Sequence, residues 1–207
     1  MKLLEIQSSV RLEQSISRAL SDEFVQLWQA HHPNAQHKQR DVGIHPPAHP
    51  TEQWTTANYT PIDQQTSEMQ AVLSDSERLI EELLWADQLL LGVPMYNFSI
   101  PSTLKVYLDN IVRVNRTFVF DSERFSFEGL ATNKKALVIT PSAGNFAPDS
   151  SLGAMNFCET YLRSILNFIG IQDITIVAVP NQFMSDAIRQ REIKQAQTTL
   201  IQLAQTW

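Results

Sequence analysis

The sequence predicts an α/β fold in which a five-stranded parallel sheet is covered by helices on both faces. Two observations predict it. The best strand candidates, Leu89-Leu90-Leu91-Gly92-Val93 and Ala136-Leu137-Val138-Ile139-Thr140, are short continuous apolar runs. A sheet with one wet face would show alternation instead. Such runs also take turns along the chain with longer segments whose apolar residues recur at helical spacing.

The elements follow in order. Residues 2–7 are a first strand, and residues 15–29 a helix carrying Ile16, Leu20, Phe24 and Leu27. Residues 38–42 read as a second, weaker strand. Residues 31–61 are polar and hold Pro46, Pro47, Pro50 and Pro61, so a long loop over a site is expected there. Met69, Val72, Leu73, Leu79, Ile80, Leu83 and Leu84 make residues 66–85 helical. The strand at 89–93 precedes a helix over 102–114. Thr117-Phe118-Val119-Phe120 and Phe125-Ser126-Phe127 flank residues 121–124 in a hairpin-like excursion. A fourth strand (136–140), a helix (151–169), a last strand (174–179) and a last helix (186–204) complete the chain. Its 207 residues suffice for one sizeable core, and 1–207 is expected to be a single domain.

The net charge of −6 disfavours broad nucleic-acid binding and attachment to anionic membranes. No apolar stretch approaches the ~20 residues of a membrane span. Glu5 interrupts the short apolar run at the N-terminus, which reads as a core strand and not a signal peptide. Cys158 is the single cysteine, so no intrachain disulfide forms, and a cytoplasmic location is expected. The histidines (His31, His32, His37, His45, His49) fall in one proline-rich stretch without cysteine partners or a helical His pair, and no metal is expected. Cys158 reads as a small core residue. Glu77, Glu81 and Glu82 read as a solvated helix face. Trp54 and Tyr59 either line a substrate cavity or pin the long loop to the body.

In a doubly wound sheet, ligands sit beyond the carboxyl ends of the strands. Three loops leave such ends with ligand-like chemistry. The first, residues 7–17, carries Ser8, Ser9, Ser15 and Ser17 into a helix start, where hydroxyls and free N–H groups suit a phosphate dianion. Ordinary capping of that helix by Ser15 explains the same pattern. The loop has neither G-x-G-x-x-G nor G-x-x-x-x-G-K-[ST], so it is not a dinucleotide or nucleotide-hydrolase loop of those kinds. The second is Pro94-Met95-Tyr96-Asn97-Phe98-Ser99-Ile100-Pro101. Tyr96 and Phe98 offer faces to a planar ring, Asn97 and the backbone can read its polar edge, and the prolines limit the entropy lost on binding. The third, Pro141-Ser142-Ala143-Gly144-Asn145-Phe146, has small residues that let backbone approach a flat ligand. Gly144 is able to take φ > 0 there and Asn145 tolerates it, and an ordinary strand-to-helix turn is the other reading. Taken together, the loops suit a mononucleotide with a planar ring.

These residues resemble the FMN-dependent NADH-azoreductases, flavodoxin-like NAD(P)H:quinone oxidoreductases. The resemblance covers nearly the whole chain. It includes the serine-bearing first loop, Met95-Tyr96-Asn97-Phe98 with the helix after it, Gly129-Leu130 with Lys134-Lys135-Ala136, and Phe168-Ile169-Gly170-Ile171. The third loop departs from the family pattern, where a Ser-Arg-Gly-Gly-like turn is expected. The resemblance implies a flavodoxin-like three-layer sandwich of strand order 2-1-3-4-5. It also implies bound FMN, NADH or NADPH as co-substrate, and a ping-pong transfer of two electrons to quinones or azo compounds. By position it makes Ser9, Ser15, Ile16 and Ser17 phosphate-side contacts and Met95, Tyr96, Asn97 and Phe98 contacts to the ring and ribityl chain. Ser142, Ala143, Gly144 and Asn145 fall at the ring's other rim, and no side chain is required as a catalytic acid or base. A C₂ homodimer is implied too, in keeping with Val106 and Val114 off the apolar stripe of their helix and with the crowding of Phe118, Phe120, Phe125 and Phe127. The competing readings are a flavodoxin-like electron carrier without its own substrate site and a scaffold that has lost its cofactor. The carrier usually lacks the 31–61 insertion and the phenylalanine excursion.

Overall fold

The computed structural model describes residues 1–207. Its strands are β1 (Lys2–Gln7), β2 (Gln36–Asp41), β3 (Gln88–Gly92), β4 (Phe118–Asp121), β5 (Ser126–Gly129), β6 (Lys135–Pro141) and β7 (Asp173–Val179). Its helices are α1 (Ile16–His31), α2 (Glu52–Tyr59), α3 (Ser67–Trp85), α4 (Ser102–Ile111), α5 (Phe157–Phe168) and α6 (Asp186–Thr206). A five-stranded sheet runs in the order β2-β1-β3-β6-β7, every pair parallel. This is the expected 2-1-3-4-5 arrangement once the hairpin strands are counted. β4 and β5 form a separate antiparallel pair, as expected.

Alternation of side chains along the central strands builds two cores. Leu3, Leu90, Leu137 and Ile139 point to one face, where they pack with Leu20, Phe24 and Trp28 of α1 and Ala196 and Leu200 of α6. Leu4, Leu89, Leu91 and Val138 point to the other and meet α3, α4 and α5 through Leu79, Leu104 and Leu162. Burying such a side chain fully contributes about 2 kcal/mol. Because both faces are covered, β3 has no polar alternation to show. The helices put the strand-to-helix loops at the carboxyl edge of the sheet.

Several boundaries differ from expectation. Residues 31–61 are not one long loop: besides the expected strand, seen as β2, they contain α2, which Thr51 caps by accepting the Trp54 N–H at 3.2 Å. The helix expected over 151–169 begins at Phe157, where the Asn156 side chain accepts the Glu159 N–H at 3.1 Å. A single 3-10 turn, Gly153–Met155, precedes it. α4 stops at Ile111 instead of 114 as the chain turns into Asn115, whose φ is +60°. Glu77 and Glu82 are not merely solvated: Glu77 bridges Arg113 and Arg116, and Glu82 pairs with Arg40. Val106 is buried within the chain itself and leaves no surplus apolar surface. No helix is long and apolar enough to cross a membrane.

Candidate functional site

β1, β3 and β6 end side by side, and the loops that leave them enclose a cavity of about 180 Å³. Ser9, Arg11, Gln14, Ser15, Ile16 and Ser17 line it from the first loop. Pro94, Met95 and Tyr96 come from the second, and Pro141, Ser142 and Ala143 from the third. Gln182 and Phe183, from the loop after β7, close it. Asn97 and Asn145 line neighbouring depressions instead, and Phe98 and Gly144 line none of these cavities.

The start of α1 is ready for an anion. Ser15 caps the helix, its hydroxyl accepting the Arg18 N–H at 3.5 Å while its carbonyl accepts the Ala19 N–H at 3.0 Å. The N–H groups of Ile16 and Ser17 are left without an acceptor in the chain. Capping and anion binding are therefore compatible at Ser15. Its hydroxyl lies 3.3 Å from that of the buried Ser17. Unpaired N–H groups and the helix dipole attract negative charge to this end.

An arginine that the sequence reading passed over holds this loop. Arg18 donates to both carboxylate oxygens of Asp41, at 2.7 and 2.8 Å, and to the carbonyls of Ser9 (2.6 Å) and Arg11 (2.9 Å). Burial alone would raise the Asp41 pKa. The Arg18 hydrogen bonds and charge, with the N–H groups of Ile44 and Gly43, more than offset it and hold Asp41 below the usual carboxylate range. Gly43 sits against the same loop, and a Cβ there would lie 2.2 Å from the Ser9 carbonyl oxygen.

The second loop folds into a tight two-residue turn. Tyr96 and Ser99 exchange both backbone hydrogen bonds, at 2.9 and 3.0 Å. Asn97 (φ +48°) and Phe98 (φ +71°) occupy its centre in the left-handed region. Both central residues at positive φ define a type I′ turn, which Asn tolerates and Phe does not favour. Phe98 meets Phe146 edge-on at 6.0 Å, linking the second loop to the third. The Tyr96 and Ser9 hydroxyls stand 3.4 Å apart, linking the second to the first.

The third loop is pinned by the loop after β7. Asn181, Gln182 and Phe183 donate their N–H groups to the carbonyls of Gly144 (3.2 Å), Ser142 (3.0 Å) and Ala143 (3.1 Å). Gly144 does not take a positive φ, contrary to expectation, and a Cβ there would make ordinary contacts at 3.4 Å and beyond. The left-handed residue of this region is Asn181, φ +63°. The Gln182 Oε1 is buried and has no partner, an acceptor waiting at the cavity wall.

Other expected features lie elsewhere. Cys158 is buried beside Thr140; burial pushes its thiol up to about 12, although the Thr140 hydrogen bond opposes the shift. Trp54 and Tyr59 do not line the cavity, and Trp54 packs beneath the Arg113 guanidinium at 5.8 Å. No three His, Cys, Asp or Glu side chains gather in a metal-binding group.

A doubly wound sheet with a cavity at the carboxyl edge of its strands, beside a free helix N-terminus, is the arrangement in which open α/β sheets hold their ligands. The chain belongs to the flavodoxin-like fold family, which matches residues 1–203. It is 42% identical over 205 residues to the FMN-dependent NADH:quinone oxidoreductase of Nostoc punctiforme, covering 99% of this chain and 98% of that one. With the Hydrogenovibrio crunogenus enzyme of the same name it shares 41% identity over 198 residues, 96% of each. Among solved structures, an azoreductase from Bacillus anthracis superposes with a TM-score of 0.91 at 20% identity over the full length of both chains. An FMN-dependent NADH-azoreductase from the same organism, in complex with FMN, superposes at 0.85 and 24% identity over 99% of this chain and all of that one. Those two likenesses establish the fold.

Proposed function

We propose that this chain is an FMN-dependent oxidoreductase that takes two electrons from NADH and delivers them to quinones and azo compounds. One observation carries the reading. Unpaired N–H groups and serine hydroxyls at the start of α1 open into the same cavity as the Tyr96 turn. Relatives at about 40% identity over the whole chain, named as NADH:quinone oxidoreductases, favour an enzyme over an electron carrier.

The residues fit FMN. Ile16 and Ser17 N–H groups, with the hydroxyls of Ser9, Ser15 and Ser17, would hold the phosphate. Met95 and Tyr96, with Asn97 and Phe98 at the adjoining rim, would hold one side of the ring system. Ser142 and Ala143, with Gly144 and Asn145 beyond them on the same loop, would form the other, and the unpartnered Gln182 amide oxygen adds an acceptor at the wall. When bound, FMN supplies the two-electron chemistry. The protein's part is to orient the ring, to exclude water from one of its faces and to donate hydrogen bonds toward the charge that reduction creates. Arg11 and the Tyr96 phenol are the only ionisable side chains lining this cavity, with no carboxylate or imidazole among them, so protons would come from solvent.

Purified protein is expected to show flavin absorbance and to oxidise NADH only after menadione or an azo dye is added. Colourless protein that stays inert after FMN addition rules the reading out. Asn97→Ala is expected to weaken FMN about tenfold in a fluorescence titration and to cost about 1 kcal/mol, since alanine disfavours the left-handed turn. Unchanged affinity would remove Asn97 from the site.

A cytoplasmic C₂ homodimer belongs to the proposal. Phe120, Phe125 and Phe127 project from the β4–β5 hairpin, with Phe125 81% exposed. Such a patch is expensive to leave in water. Sedimentation should give twice the chain mass, and Phe125→Asp should shift it toward monomer.

A further inference from the structure

A second groove, of about 740 Å³, adjoins the cavity and shares with it the wall formed by Arg11, Gln14, Ser15, Ile16, Gln182 and Phe183. It lies between α1 and α6, beyond the helix start assigned to the FMN phosphate. Its chemistry comes from Arg11, Leu12, Asp22, Phe183, Arg189 and Ile193.

We propose that this groove receives the adenosine diphosphate half of the nicotinamide co-substrate, with Arg11 and Arg189 at the diphosphate, Phe183 at the purine and Asp22 at the ribose. The inference rests on the NADH-dependent reading above and extends it to the part of the co-substrate that does not react.

The cations in the groove are not equally available. Arg18 also borders it but is committed to Asp41 and two backbone carbonyls. Arg11 is exposed, and its guanidinium has only a 3.4 Å contact to Gln14. The Arg189 Nε is buried without an acceptor. Its remaining partner is Asp186 at 3.1 Å, whose carboxylate is 89% exposed, a pairing that contributes little in water. The Arg189 side chain is 41% exposed and held only by that carboxylate, so it can turn toward an oxyanion in the groove, which would supply the acceptor its Nε lacks. Two available cations match the two charges of a diphosphate.

The apolar part is similarly unspent. Phe183 is 88% exposed and Leu12 69%. The backbone of residues 181–183 is tied to the third loop, so the Phe183 ring is presented from a fixed support. An aromatic face held in this way suits stacking on a purine. Asp22 can accept from a ribose hydroxyl, and its negative charge opposes a phosphate at the same position. NADH should therefore be preferred over NADPH.

The test uses FMN-loaded protein with menadione as acceptor, and compares NADH with reduced nicotinamide mononucleotide, which lacks the adenosine half. Arg189→Ala is expected to raise KM for NADH about tenfold with kcat within about twofold, and to leave KM for the mononucleotide unchanged. Arg189→Lys should recover part of the loss. Asp22→Asn should narrow the gap between NADH and NADPH. Calorimetric titration with ADP-ribose gives a readout apart from turnover, and Arg189→Ala should weaken that binding about tenfold. Equal KM changes for both co-substrates, or undiminished ADP-ribose binding by Arg189→Ala, would overturn the assignment. Should neither co-substrate be oxidised, the redox reading falls, while the ADP-ribose titration still decides the groove.

Discussion

Gly43→Ala is expected to destabilise the protein by about 3 kcal/mol and to weaken FMN about a hundredfold. Gly43 follows the end of β2 and donates its N–H to the Gln7 carbonyl at 3.1 Å. An added Cβ would lie 2.2 Å from the Ser9 carbonyl oxygen and 2.7 Å from its carbon. Both atoms are backbone, and the Ser9 carbonyl is also gripped by Arg18 at 2.6 Å, so the contact has no flexible side chain to yield. Relief requires lifting the first loop off the strand end, which carries the Ser9 hydroxyl out of the cavity. Urea denaturation reads the stability loss, and flavin fluorescence reads the affinity. A Gly43→Ala protein with native FMN affinity would show that the first loop does not hold the cofactor.

Arg18→Met is expected to cost about 3 kcal/mol at pH 7, because it leaves the half-buried Asp41 carboxylate without its main partner. The pH dependence distinguishes this from lost packing. In the native protein the folded Asp41 pKa lies below its unfolded value near 3.8. The pair therefore stabilises above that pH, and its contribution disappears as pH falls through the folded value. In the variant the guanidinium is gone and burial dominates, so the folded pKa rises. The penalty is then full at neutral pH and shrinks as Asp41 becomes protonated. The difference in urea midpoint between Arg18→Met and the native protein should be larger at pH 7 than at pH 3.5. An equal difference at both would mean that the methionine acts through packing alone.

The central strands were legible because both of their faces are covered, which forces runs such as Leu89-Leu90-Leu91. The starts of α1 and α3 were legible because apolar periodicity sets in close behind their caps, Ser15 and Thr66. α2 was not: its flanking prolines read as loop, and only Ala57 of its eight residues is buried, so apolar periodicity had nothing to register. The helix expected from residue 151 starts later because nothing local reveals that Asn156 is its cap.

The candidate site divided in the same way. Serines and aromatics in the loops were visible as residue types. The Arg18–Asp41 pair joins positions distant in sequence, and neither residue type at its position signals the other. Gln182 and Phe183 sit in a polar loop with no motif. The general rule that ligands lie beyond strand ends was the available signal, since β7 ends immediately before them. At Gly144 the sequence suggested a special backbone, whereas the left-handed positions around the site fall on Gln14, Asn97, Phe98 and Asn181.

The thiol of Cys158 has a practical consequence. Reduced flavins exposed to air generate peroxide, and peroxide attacks sulfur through the thiolate. With its acidity suppressed by the core and its side chain sealed beneath α5, this sulfur stays protonated across the whole working range. Peroxide and alkylating reagents should therefore modify Cys158 only after unfolding.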